Sequence, residues 1–353
     1  MIILGIESSC DETAVGIVRN GDELLANVVA SSMNVHARYG GVIPELAARS
    51  HIEVIIPVLE QALKDAACTW DDIDGIAVTY GAGLLGSLLI GVLTARTLAV
   101  IKRKPLFAIN HVEAHLYANF ITESAVSTIL SRKSQPEFPI LGIIVSGGHS
   151  QLVLFNDHFN YTLLGQTQDD AIGEAYDKVA KMLGLPYPGG LNVSRLAEKG
   201  DSTKYRFPKA RLQYKYDFSF SGLKTAVLRL AQQEVGKDYR LSSQELPGLL
   251  NDKQKADIAA SFASTACETI VDKALAAYQE FQPRSVIVGG GVAADKELRQ
   301  QLSSRLPVAI EYPDLALCGD NGAMVATLGC FKAMRQAETA NPYVLEASPT
   351  LSM

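Results

Sequence analysis

Two histidines, His111 and His115, stand four residues apart in the stretch NHVEAH. On a helix that spacing puts both imidazoles on one face, within reach of a single ion. Imidazole suits zinc or iron, and a third, oxygen ligand would leave positions open for substrate or water. Taken alone, the pair serves equally well as decoration of a solvated helix. Glu113 follows the first histidine by two positions rather than one, so it is rotated toward the far side of the helix and away from the base position of an HExxH metalloprotease. Asp320, in CGDNGAMVA, is the best third ligand. It opens an amphipathic helix after a loop, and capping that helix is its competing role.

Two turns carry the other candidate chemistry. ESSCDET holds Asp11 and Glu12 between two apolar runs, and VSGGHS holds Gly147 and Gly148. Asp11 and Glu12 could serve a metal, act as a base, or simply make the turn. The two glycines let the backbone approach a ligand and free N–H groups for phosphate oxygens, although a tight hairpin also asks for glycine. Neither a GxxxxGK[ST] loop nor a GxGxxG loop is read in the chain, and neither a P-loop NTPase nor a Rossmann dehydrogenase is expected. Residues 204–216, KYRFPKARLQYKY, hold five Lys or Arg and four aromatic rings with no acid. Cations for phosphates and rings for unpaired bases suit RNA; an exposed loop face is the alternative.

The elements that must position these residues come in two copies. An apolar run at 2–6, the polar turn and a second run at 14–18 read as a hairpin; residues 140–155 repeat that design and the ILGI of residues 3–6. Each hairpin is followed by an amphipathic helix. The first carries Ile52, Ile55, Leu59, Ala62 and Ala66 at helical spacing, and the second runs from about 170 to 183. Each copy then has a buried strand, a glycine loop and a helix, at 76–92 and 285–302. Alternating strands and helices predict an α/β sheet with covered faces. Segments 110–135 and 191–250 stand outside the duplication as insertions, where function tends to sit. The tail from Thr339 has little periodicity and is expected to be a mobile or partner-facing end. The expected division is an N-terminal lobe over 1–133 with a metal-binding helical insertion, and a C-terminal lobe over 134–319 with the basic insertion. Residues 320–353 would be a helix returning to the first lobe, and the tail. Paired hairpins from duplicated lobes around a nucleotide cleft, with Gly289-Gly290-Gly291 admitting an adenine ring, resemble the actin, sugar-kinase and heat-shock ATPase design. The expected fold is thus a duplicated, actin-like and ribonuclease H-like α/β fold with helical insertions.

Composition sets the outer limits. Of 353 residues, 48% are hydrophobic and 20% charged, as in a globular enzyme of two lobes. No stretch is expected to span a bilayer and no signal peptide is read at the start, so the cytoplasm is the expected compartment. Five cysteines without a CxxC pair read as free thiols. A net charge of −6 requires any nucleic acid to be met by a local basic patch or by partner proteins.

Together these motifs resemble the TsaD family of tRNA adenosine threonylcarbamoyltransferases, in its bacterial and organellar branch. The resemblance runs in order through GIESSCDETAVGIV, YGGVIPELAARSHI, HVEAH, IVSGGHSQLVLF, DDAIGEAYDKVAKMLGLPYPGG, DFSFSGLKTAV, GGGV and CGDNGAM. It implies one divalent metal ion, iron(II) ahead of zinc, on His111, His115 and Asp320. It also implies an adenylate ligand at Ile144, Val145, Ser146, Gly147, Gly148, Asp177, Gly190 and Asp295. The implied reaction moves threonylcarbamoyl from its adenylate to the exocyclic amine of the adenosine beside the anticodon, releasing AMP, with Asp11 or Glu12 as the base. The implied partners are tRNA, a smaller paralogue of the same fold and a P-loop ATPase, and no membrane. Asp295 stands where the family usually has Asn, Asn110 where a further His is common, Ala82 where the family has Pro, and Leu191 where PGGP is usual. A non-catalytic nucleotide-binding scaffold and a metallopeptidase are the alternative readings.

Overall fold

β1 (Ile2–Glu7) and β2 (Glu12–Arg19) form the first hairpin, antiparallel with Gly5 opposite Gly16. Both are buried along nearly their whole length, because helices cover both faces of the sheet and alternation gives way to continuous apolar runs. The chain continues through β3 (Glu23–Ser31), a short helix α1 (Met33–Ala37) and the long α2 (Pro44–Asp65). β4 (Gly75–Gly81) then pairs parallel to β1 and leads into α3 (Leu85–Lys102). β5 (Leu106–Asn110) runs directly into α4 (His111–Tyr117), and a two-residue strand β6 (Glu123–Ser124) closes the edge. The sheet order is β5-β4-β1-β2-β3-β6. The structure is a computed structural model that describes residues 1–125 and 134–353; part of the expected insertion at 110–135, and the expected boundary at 133, lie outside the described residues.

The second half repeats the plan. β7 (Ile140–Val145), β8 (Ser150–Asp157) and β9 (Asn160–Gln166) form an antiparallel meander. Helices α5 (Ile172–Leu183), α6 (Gly189–Ala197), α7 (Ser221–Glu234), α8 (Leu246–Leu249) and α9 (Asp252–Phe281) follow. β10 (Ser285–Gly289) pairs parallel to β7, α10 (Lys296–Arg305) follows, and β11 (Ile310–Glu311) completes the order β11-β10-β7-β8-β9. Position for position this matches β5-β4-β1-β2-β3, so the expected duplication is present. The last helix, α11 (Gly322–Met334), belongs with the first half. Met1–Pro136 with Tyr312–Met353 form one compact unit and Glu137–Glu311 the other.

Glycine decides how α11 lies on the first sheet. A Cβ at Gly5 would come within 2.3 Å of the Ala326 amide nitrogen, and one at Gly16 within 2.2 Å of that of Ala323. Helix backbone therefore rests directly on strand backbone, and no larger residue fits between them.

Four expectations change. Ile52 is 60% exposed, while the buried stripe of α2 runs through Ala47, His51, Ile55, Val58, Leu59 and Ala62. α3 is long and apolar enough to cross a membrane by length and composition, which the sequence reading had not allowed. One side of it, through Leu88, Val92, Ala95 and Ala99, is buried in the first unit's core. α4 is no appended surface insertion: all seven of its residues are buried. The tail is no loose end either. Arg96 donates to the carbonyls of Pro342, Tyr343 and Leu345, the Ser348 N–H to Tyr80 O, and Asn110 Nδ2 to Ser352 O. Backbone hydrogen bonds leave no trace in side-chain periodicity, so this strap was invisible in the sequence.

Candidate metal centre and phosphate turn

α4 starts where Asn110 caps it, accepting from the N–H groups of Val112 and Glu113. The cap fixes the first turn and places His111 and His115 with ring centroids 4.7 Å apart. Asp320 Oδ1 stands 3.6 Å from His111 Nε2 and 3.4 Å from His115 Nε2. One ligand atom from each of the three lies within 4.8 Å of the others. The competing role for Asp320 falls away, because Asn321 caps α11 by accepting from Met324 N–H. Two imidazoles and one carboxylate, largely buried, form a donor set that fits a divalent first-row metal ion.

Behind this set lies Glu7, fully buried at the end of β1. Its Oε2 is 3.1 Å from His111 Nδ1, so the other ring nitrogen faces Asp320 and His115. At Glu7 the cost of burial is outweighed by His111 and by hydrogen bonds from Ser9 and Thr79, and the carboxyl is held at about 2. At His111 burial is likewise outweighed, by Glu7 and Asp320, and the imidazole rises to about 9. Burial lifts Asp320 to about 6 against the pull of His111. A cation bound here would therefore displace protons.

The turn carrying Asp11 and Glu12 is pinned through its carbonyls. Leu84 N–H reaches Ser9 O at 2.7 Å, and Ser87 Oγ reaches Cys10 O at 3.0 Å. Ser32 Oγ reaches Asp11 O at 2.7 Å. His51 Nε2 donates to Cys10 O at 3.1 Å, which leaves its Nδ1 to accept from Thr13 Oγ1 at 2.7 Å. Burial, then the charges of Asp320 and Asp11, raise Glu12 to about 9. The Glu12 carboxyl therefore favours its protonated form. Burial and the same acidic neighbours also push the Cys10 thiol up, so it is no nucleophile.

In the second unit, Ile144 and Val145 lie wholly in the sheet core, so only Ser146, Gly147 and Gly148 of that stretch can present themselves to a ligand as side chain or turn. A Cβ at Gly147, Gly148 or Gly190 would meet nothing within 4 Å. The first turn of α5 abuts the hairpin, with Gly173 N–H bonded to Ser146 O at 3.2 Å. Asp177 Oδ1 accepts from Gly189 N–H at 2.7 Å and shapes the loop before Gly190. Asp295 caps α10 through Leu298 N–H and also receives Ser194 Oγ and the Cys267 thiol. Every partner is a donor, so a carboxylate is satisfied at a position where the family usually has an amide. Gly290, at φ +99°, has Val145 O 2.4 Å from where its Cβ would be, which only glycine accepts.

Two sequence readings need revision. Lys209 pairs with Glu268 and Asp272, and Lys215 with Glu280, so two of the five cations of the basic segment are neutralised by α9. Arg206 and Arg211 stay exposed. Residues 81–86, GAGLLG, do match the GxGxxG spacing between β4 and α3. However, Gly83 N–H is taken by Pro349 O and Leu84 N–H by Ser9 O, so the chain itself fills that helix start. Glu113, as its spacing predicts, is turned away from the histidine ring nitrogens that face Asp320 and is buried toward Lys332. Sequence reasoning also missed Glu7, His51 and Ser32; the one available signal was a glutamate ending an otherwise apolar strand, IILGIE.

A likeness to solved structures supports the fold. The chain superposes on (R)-2-hydroxyglutaryl-CoA dehydratase component A of Acidaminococcus fermentans with a TM-score of 0.51 and 15% identity, over 95% of this chain and 99% of that one. HypF of T. kodakarensis gives a TM-score of 0.61 and 14% identity, over 97% of this chain and 49% of that one. The architecture is the duplicated actin-like α/β fold. Sequence relatives are nearer. The tRNA N6-adenosine threonylcarbamoyltransferase of Thermomicrobium roseum is 46% identical over 95% of this chain and 93% of its own length. Its namesake in Protochlamydia amoebophila is 47% identical over 95% and 94%. The sequence profile of the TsaD family, tRNA N6-adenosine threonylcarbamoyltransferase, matches residues 23–327. With that profile spanning most of the chain and those relatives aligned along nearly all of it, the chain belongs to the TsaD family.

Proposed function

We infer that this chain carries out the reaction of its family, moving threonylcarbamoyl from its adenylate to N6 of the adenosine beside the anticodon in tRNA. The observation that carries the reading is the convergence of His111, His115 and Asp320 beside the pinned turn of Asp11 and Glu12. The N6 lone pair attacks the carbamoyl carbon, the bond from that carbon to phosphate oxygen breaks, and AMP leaves with the electron pair. Asp11 takes the amine proton, with protonated Glu12 holding its carboxylate in place. His111, His115 and Asp320 would hold one divalent ion, iron(II) ahead of zinc, which when bound supplies Lewis-acid polarisation of the acyl oxygen. Gly147 and Gly148, set before the N-terminus of α5, would receive the phosphate. Ser146, Asp177, Gly190 and Asp295 would shape the rest of the adenylate subsite, with Ile144 and Val145 supplying backbone only.

A chain of net charge −6 needs help with tRNA. Arg206 and Arg211 would meet phosphates, and a P-loop ATPase and a smaller paralogue of the same fold would act as partners in the cytoplasm. Ile52 and Ile56 on α2 and Leu85, Leu89 and Leu93 on α3 leave an exposed apolar ridge suited to that paralogue. Purified chain with these partners, threonylcarbamoyl adenylate and tRNA should yield N6-threonylcarbamoyladenosine by nucleoside mass spectrometry. AMP binding without product would instead favour the scaffold reading, and the placement of Glu113 argues against a peptidase.

A further inference from the structure

Glu7 has no place among the groups that meet substrate, yet it is the most completely enclosed carboxylate near the centre. Its Oε1 accepts from Ser9 N–H at 2.5 Å. Its Oε2 accepts from Thr79 Oγ1 at 2.6 Å and lies 3.1 Å from His111 Nδ1. Ser9 Oγ is 3.2 Å from the same nitrogen. A carboxylate only accepts, so the proton on that edge of the ring belongs to Nδ1, and Nε2, on the edge turned toward Asp320, is the nitrogen that would give up its proton to ligate an ion. The contact at Ser9 comes from the first residues of the turn that carries Asp11 and Glu12, so one carboxylate touches both halves of the proposed chemistry.

We propose that Glu7 is a positioning residue of the metal centre: it holds His111 in the Nδ1–H form that presents Nε2 to the ion, and it ties that ligand to the Asp11–Glu12 turn. This rests on the metal centre assigned above. Glutamine is the discriminating substitution because it keeps the shape but owns one acceptor. Ser9 N–H is backbone and cannot reverse, so the amide oxygen must face it, and the amide NH2 then faces Thr79 and His111. The threonine hydroxyl can rotate to accept. His111 can accept only by moving its proton to Nε2, the nitrogen that must bind metal.

The test uses the full chain with Zn(II), in competition with a chelator, and with Co(II), whose visible d–d bands report the ligand set. Glu7→Gln should bind Zn(II) about 10–100-fold more weakly, the usual loss when an outer-shell partner is removed. Its Co(II) spectrum should shift, which a merely structural role would not produce. If Glu7→Gln does not fold, Glu7→Asp retracts the carboxylate by one methylene and should weaken Zn(II) in the same direction. Unchanged affinity and spectrum, while His111→Ala loses the metal, overturn the role of Glu7 alone. If His111→Ala also leaves Zn(II) binding untouched, the metal centre and the role of Glu7 fall together.

Discussion

Replacing Gly16 by alanine asks whether the metal centre depends on how closely α11 lies on the sheet. The new Cβ would sit 2.2 Å from Ala323 N and 2.3 Å from Gly322 C, both backbone atoms in the first turn of α11. Ordinary contact begins at 3.4 Å, so strand and helix must part by about 1 Å, and neither can yield by turning a side chain. Overpacking typically costs about 1–3 kcal/mol, and a clash of backbone on backbone belongs at the upper end or beyond. Asp320 stands two residues before Gly322 and moves with it. Metal–ligand distances tolerate only about 0.2 Å, so a shift of that size should take Asp320 out of range of an ion held by the histidines. The expected result is a loss of roughly 3 kcal/mol for the first unit by urea titration, and Zn(II) affinity down at least about tenfold. Gly319→Ala is the control: it adjoins Asp320, yet its Cβ would meet nothing within 4 Å, and both quantities should stay at wild-type values. Should Gly16→Ala keep wild-type stability and metal affinity, the argument that glycine contact positions Asp320 is refuted.

Asp11→Asn keeps the turn and removes the acceptor; single-turnover transfer to tRNA should fall by about 10²–10⁴ while AMP binds as well or better, and near-normal transfer would remove Asp11 from the mechanism. Burial raises Glu113 to about 7 from 4.5, against the pull of Lys332. A raised carboxyl favours folding only while protonated, so its contribution is complete below about pH 4.5 and is lost as pH rises through 7. Glu113→Gln should abolish that decline, roughly 2–3 kcal/mol at 1.36 kcal/mol per unit, in denaturation midpoints taken from pH 5 to 8; parallel curves for the two proteins would sink the assignment. Arg206→Glu with Arg211→Glu should weaken tRNA binding and flatten its salt dependence, by about 0.7 per lost single-strand phosphate contact. Lys209→Ala with Lys215→Ala should leave the slope alone, since those lysines already face carboxylates.

The sequence by itself determined the duplication, the α/β class and the family, because each is written in local pattern. Apolar strands, helical spacing and small-residue turns repeat in one order, and His111, His115 and Asp320 could be nominated from residue type and spacing. What α4 and α11 do together was a tertiary decision. Nothing in NHVEAH says that its helix is wholly buried, and nothing in CGDNGAM says that Asn321 takes the cap and frees Asp320. The partnerships of Glu7 with His111, of His51 with Cys10, and of Lys209 with Asp272 join residues 41 to 104 positions apart. Local spacing is silent across such gaps, since these contacts exist only once the sheet has brought its strands and helices side by side. Likewise the tail is anchored by backbone hydrogen bonds, and the GAGLLG turn is filled by the chain's own carbonyls. Residue types record neither, because a backbone donor or acceptor is the same at almost every position.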